Sequence, residues 1–178
     1  MIGKVYGIPP QPPVEEHQQL FDAGVLRFGV EYRDLDPESL VETYKDNPEH
    51  LAELLERSPE GGFTDSGVTI HVFDASDGWE YLRFDVFDDE PHYHYIHRTD
   101  DGSVVNQVID FDVTAHGDML DWALDALRRR MVPMLQAAGG GDLAARIDAA
   151  TVAATLDQVA AAALTASGRE AGRSSTPR

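Results

Sequence analysis

The sequence contains no cysteine. That excludes a disulfide scaffold, a thiolate metal site and cysteine nucleophilic chemistry. Positive charge is scarce: 14 Lys and Arg stand against 32 Asp and Glu, for a formal charge of −18. Nucleic acids and anionic membrane surfaces both require a basic footprint, so neither is expected as a partner. No apolar run approaches the roughly 20 residues of a spanning helix, and no charged-then-apolar signal region opens the chain. Phosphate loops are missing too. Gly139, Gly140 and Gly141 lack a following Lys and follow no strand, and Gly61-Gly62 fails the same test. There is no GxSxG, no HExxH and no Ser/His/Asp order. These absences leave a cytoplasmic globular protein as the expectation, with 178 residues and 42% hydrophobic composition for a single core.

The acidity is one-sided. Residues 1–115 carry 25 acids and 7 bases, whereas residues 116–178 carry 7 of each. Such a surface keeps a protein dispersed. It would also suit a basic partner, as an inhibitor or immunity protein of a nuclease would need.

Periodicity gives the organisation. Four prolines among the first 13 residues favour an extended arm. Pro13, Glu15 and Glu16 predict a helix ending near Gly24. Leu26, Phe28, Val30 and Tyr32 alternate with polar residues, as a half-buried strand does. Asp36 and Pro37 open a helix carrying Leu40, Val41 and Tyr44. Asn47 caps a second one with Leu51, Leu54 and Leu55, closed by Pro59, Gly61 and Gly62. Residues 67–73, 79–87, 92–98 and 103–111 read as an antiparallel meander with turns rich in Asp, Gly and Pro. A helix over 118–137 follows, capped by Asp118, with Leu120, Leu124, Leu127, Met131 and Leu135 as its core stripe and Pro133 as a kink or early end.

The fold class predicted is α+β: a curved antiparallel meander of four to five strands with helices packed on one face, followed by an Ala-rich C-terminal helix. The domain is expected to end at residue 138. Residues 142–166 contain 11 Ala and few large apolar groups. Beyond the glycines, 139–166 therefore reads as a loosely attached helix or a homodimer contact, and 167–178 as a disordered tail. The order of elements is similar to that of helix-grip and cystatin-like folds, a likeness that carries no function.

Chemistry concentrates in the meander, which holds His71, His92, His94 and His97. In a strand His92 and His94 point to one side and His97 to the other. Two imidazoles at that spacing can chelate a divalent transition metal. A two-residue turn at Asp89-Glu90 would place Phe87 opposite His92 and Asp85 opposite His94. One face then collects Trp79, Tyr81, Arg83, Asp85, Phe87, His92 and His94; the other collects Leu82, Phe84, Val86, Tyr93 and Tyr95, facing the helices. A tight turn at Asp101-Gly102 would add Gln107, Ile109 and Phe111 to the histidine face. A three-residue loop would add Asn106, Asp110 and Asp112 instead. His71 reads as a partly buried sheet residue.

Three functions fit these residues. The first is a small-molecule pocket walled by Trp79, Tyr81 and Phe87, with Arg83, Asp85, His92 and His94 fixing orientation. The second is a metal-dependent or general acid/base enzyme in which His94 is base or ligand and Asp85 orients it. The third is an acidic interaction protein without chemistry.

Overall fold

Alternation of apolar and polar residues is realised in β3 (Leu26–Leu35), β4 (Asp65–Asp74), β5 (Glu80–Phe87), β6 (His92–Arg98) and β7 (Val104–Asp110). The computed structural model describes residues 2–49, 51–52 and 64–168. Leu54, Leu55, Pro59, Gly61, Gly62 and the tail from residue 169 lie outside the described residues. Two further strands, β1 (Lys4–Tyr6) and β2 (Gln19–Ala23), bring the antiparallel sheet to seven, in the order β1-β7-β6-β5-β4-β3-β2.

Strand β2 corrects the expected N-terminal helix. Only a single 3-10 turn forms, at Glu15–His17. The chain then pairs with β3, Ala23 opposite Leu26 across a two-residue hairpin whose Gly24 adopts φ +70°. Local helix signals lose here to the unpaired edge of β3, which a strand alone can satisfy. The leading helix of the folds named above is thus absent. Part of the proline-rich arm becomes β1, paired with β7.

Helices among the described residues include α1 (Pro37–Tyr44), α2 (Val113–His116), α3 (Met119–Ala137), α4 (Gly141–Ala144) and α5 (Ala149–Ala166). Asp36 caps α1 in a reciprocal box with Ser39, and Asp118 caps α3 through Asp121 N. Helix α3 runs through Pro133 without ending there. Its buried Leu120, Ala123, Leu127, Met131 and Leu135 join Phe28, Val30, Ile70, Val72, Leu82 and Phe84 of the sheet in one core.

The C-terminal helix belongs to that same core. Leu143 and Ala144 of α4, and Val152, Leu156, Val159 and Ala163 of α5, are buried in it. Helix α5 packs on β2, β3, β4 and α3, and Thr155 Oγ1 donates to Asp22 O at 3.1 Å. The expected boundary at residue 138 therefore separates no appendage from a finished core. Most of the α5 alanines stay on the outer side, and the few larger residues Val152, Leu156 and Val159, with Thr155 and Ala163, make the buried face, so a low count of large apolar groups still completes the core. By length and composition α5 is apolar enough to cross a membrane, contrary to the sequence reading, but its larger apolar residues are those turned into the core.

Helix α1 departs from the expected arrangement in another way. Its Leu40 and Tyr44 lie over the opposite, polar face of the sheet, so helices cover part of both faces.

Candidate functional site

Strand register assembles the polar face. One row runs Glu31, Thr69, Asp85, His92, Asp110 across β3 to β7; the next runs Gly29, His71, Arg83, His94, Val108. Asp85 is thus directly opposite His92, and Arg83 opposite His94. The connection through Asp88–Pro91 is longer than the two-residue turn expected. It shifts the register by two, which moves the neighbours but keeps each side chain on its face. At the next connection Thr99 N donates to Ser103 O at 2.9 Å, and Gly102 takes φ +83°. This is the three-residue loop of the two alternatives. Asn106 and Asp110 share the histidine face; Gln107 and Ile109 do not.

Asp85 stands at the centre of the site and is 3% exposed. Thr69 Oγ1 donates to its Oδ1 at 2.6 Å. Its Oδ2 lies 3.0 Å from His94 Nε2 and 3.3 Å from His92 Nε2. The far nitrogens are also engaged: His94 Nδ1 is 2.8 Å from Asn106 Oδ1, and His92 Nδ1 is 2.7 Å from Glu90 O. Burial alone would raise the pKa of Asp85, but its contacts with His92 and His94 and the charge of Arg83 hold it well below the usual carboxylate range. Burial works against a charged His92, yet the hydrogen bond and charge of Asp85 raise it overall. For His94 burial prevails, helped by the charges of His92 and Arg83, and the pKa falls. With both nitrogens of each ring turned to oxygen, neither imidazole presents a free nitrogen to the cavity. Acid/base work by His94 without a metal would need the ring to turn.

A second buried network adjoins the first. His71, fully buried, has Nδ1 2.6 Å from Glu80 Oε1 and Nε2 3.1 Å from Glu31 Oε1. Arg83 grips Glu80 with two donors, Nε at 2.9 Å and Nη2 at 2.7 Å. The residues after β1 form a strap held over this face. Gln11 O accepts from Arg33 Nη1 at 3.2 Å and Arg83 Nη1 at 2.8 Å, and Val14 N donates to Glu31 Oε2 at 3.0 Å. Between strap, α1 and sheet lies a cavity of about 190 Å³. Tyr6, Ile8, Leu40, Tyr44, Phe87 and Val108 wall it; Arg33, Arg83, Asp85, His92, His94 and Asn106 supply its polar groups.

Two expected pocket residues are elsewhere. A β-bulge between Val72 and Phe73 pairs Phe73 with Glu80 and leaves Tyr81 out of the ladder. Glu80 thereby joins the polar face, while Tyr81 packs with the apolar core beside Gly140. Trp79, before the strand, stacks under the Arg98 guanidinium at 4.8 Å. His97 faces away from His94, as its parity requires, and its ring closes on Gly139, where an added Cβ would come within 2.7 Å.

The sequence offers no site role for Arg33 or Asp65 and shows Tyr44 only as part of a helix face, yet Arg33 and Tyr44 line the cavity. Arg33 alternates with apolar neighbours and so reads as solvated; only the strap makes it a buried donor. Asp65, 5% exposed, accepts from the backbone N–H of Ser66, Asp88, Asp89 and Glu90, fixing the loop whose Glu90 carbonyl holds His92.

The networks predict an acid limit to stability. Burial favours a neutral Glu80, but the charges of Arg83 and His71 and their hydrogen bonds bring its pKa from 4.5 to about 2. The folded state then binds fewer protons than the unfolded chain. The stabilisation, on the order of 3 kcal/mol, is complete above about pH 5 and is lost as pH falls towards 2. Glu31 is shifted the same way. Urea midpoints should therefore drop steadily from pH 5 to pH 3, and Glu80→Gln should flatten that slope. A wild-type midpoint constant over this range would contradict the ionised pair.

A family model described as Domain of unknown function (DUF7700) matches residues 20–163. No curated protein and no solved structure matches the chain.

Proposed function

The chain belongs to the DUF7700 family, a domain of unknown function, and we propose that it binds a small molecule in the cavity between strap, α1 and sheet. The observation that carries this reading is the convergence of Arg33, Asp85, His92, His94 and Asn106 on one apolar-walled cavity. Binding sites commonly combine apolar walls with a few placed polar groups in this way. The volume, about 190 Å³, exceeds the roughly 150 Å³ that accommodates benzene, so a ligand of about 6–10 non-hydrogen atoms is the expected size.

The test is a ligand-observed NMR screen with carboxylate and phenol fragments of that size. At least one fragment should bind saturably with a Kd tighter than about 1 mM. Val108→Trp, which fills the cavity from β7, should abolish binding. His94→Ala should weaken it at least tenfold, by roughly 1.4 kcal/mol, while His97→Ala on the opposite face should leave it unchanged. A screen without a saturable hit, or equal effects of the two histidine substitutions, would overturn the reading.

A further inference from the structure

We infer that Asp85, His92 and His94 form a three-ligand centre for one divalent transition-metal ion, open towards the cavity. The ion concerns the same cavity as the proposed small molecule but does not require that molecule to bind.

The first argument is spacing. One carboxylate oxygen and one ring nitrogen from each histidine all lie within 4.8 Å of one another. At metal–ligand distances of about 2.1 Å, neighbouring ligand atoms in octahedral or tetrahedral sites stand about 3.0–3.4 Å apart. Asp85 Oδ2 is 3.0 Å from His94 Nε2 and 3.3 Å from His92 Nε2, so each imidazole already stands at ligand spacing from the carboxylate oxygen.

The second argument is the proton inventory. Glu90 O can only accept, so the proton of a neutral His92 sits on Nδ1, donated across 2.7 Å. Asn106 Oδ1 asks the same of His94 at 2.8 Å. In that tautomer each Nε2 turns its lone pair towards Asp85 Oδ2, and one cation there would satisfy the carboxylate oxygen and both ring nitrogens at once, the two rings being 5.0 Å apart. Among the described residues, Asp85 has no ion-pair partner other than these two histidines. The carbonyl of Glu90 and the amide of Asn106 stand where the outer partners of metal-bound imidazoles stand, fixing tautomer and ring orientation.

The donor set selects the metal. Two imidazoles and one carboxylate suit Zn, Fe, Co, Ni or Cu rather than Mg or Ca, which take oxygen ligands. Two-histidine, one-carboxylate sites leave coordination positions open; here they face a cavity large enough for water or an oxygen-donor ligand.

The experiment uses full-length untagged protein, stripped with EDTA and titrated with CoCl₂. Visible d–d absorption should saturate at one equivalent, and ZnCl₂ should compete with it and raise Tm. His92→Ala, His94→Ala and the isosteric Asp85→Asn should each weaken binding by at least about 100-fold, beyond what loss of an outer partner costs. His17→Ala, exposed on the 3-10 turn, should not change it. If a variant fails to fold, the wild-type Co²⁺ complex still decides. Its NMR spectrum should show two exchangeable, paramagnetically shifted N–H signals, one from each Nδ1–H. Absence of saturable one-to-one binding, absence of those signals, or site variants within threefold of wild type would overturn the inference. Because no organic ligand enters this titration, its outcome is separate from that of the fragment screen.

Discussion

A chain ending at residue 138 is expected to lose cooperative folding. The cut removes Leu143 of α4 and Val152, Leu156 and Val159 of α5, all within the single apolar core. Burying each such side chain is worth about 1.5–3 kcal/mol, so these four account for roughly 6–12 kcal/mol. A domain of this kind has only about 5–15 kcal/mol in total. The cut also uncovers the α5-facing surfaces of β2, β3 and β4 and leaves Asp22 O without its Thr155 donor. The truncated chain should show no sharp calorimetric transition, weak near-UV circular dichroism and strong binding of a hydrophobic dye. A soluble fragment with a cooperative transition near that of the full chain would show α5 to be an appendage.

Phe84→Ala should destabilise the fold by about 3–5 kcal/mol. Phe84 is 0% exposed. It is flanked in register by Ile70 and Tyr93, and its ring lies 6.1 Å from that of Trp122 in α3. Sheet on one side and helix on the other leave little freedom to collapse into the space a phenyl ring vacates, so the cavity penalty adds to the lost transfer energy. For a chain of this length the change corresponds to a Tm lower by roughly 6–20 °C. Urea denaturation and calorimetry should agree on it. A loss below about 1 kcal/mol would mean that this side of β5 does not face the helix layer.

Both results depend on which side of the sheet each residue occupies, and that much is legible in the alternation of β5 and β6. Leu82, Phe84, Tyr93 and Tyr95 on one side, and Arg83, Asp85, His92 and His94 on the other, follow from period two alone. The partners of His94 do not. Asp85 reaches it diagonally, and Asn106 reaches it only because the loop after β6 has three residues. Tyr81 illustrates a different limit. Simple alternation puts it beside Arg83, and a bulge that leaves no mark in the hydrophobic pattern returns it to the core and puts Glu80 in its place. Asp65, far from the histidines in sequence, shapes their loop through the backbone amides of Asp88, Asp89 and Glu90, a role that composition and spacing do not encode.

The sequence by itself determined the strands of the meander, the caps of α1 and α3, the parity of the histidines and the acidic, cysteine-free character of the chain. These are local properties: they depend on a residue and its neighbours within one turn or one pleat. The tertiary structure decided that residues 19–23 become a strand, that α5 completes the core, and that Glu31, Arg33 and Arg83 lie buried in contact with the strap, with His71 buried beside them. Each of those outcomes is fixed by what covers a face or pairs with an edge, and the covering element comes from a distant part of the chain. Hydrophobic periodicity records which residues share a side; it carries no information about the partner that meets that side.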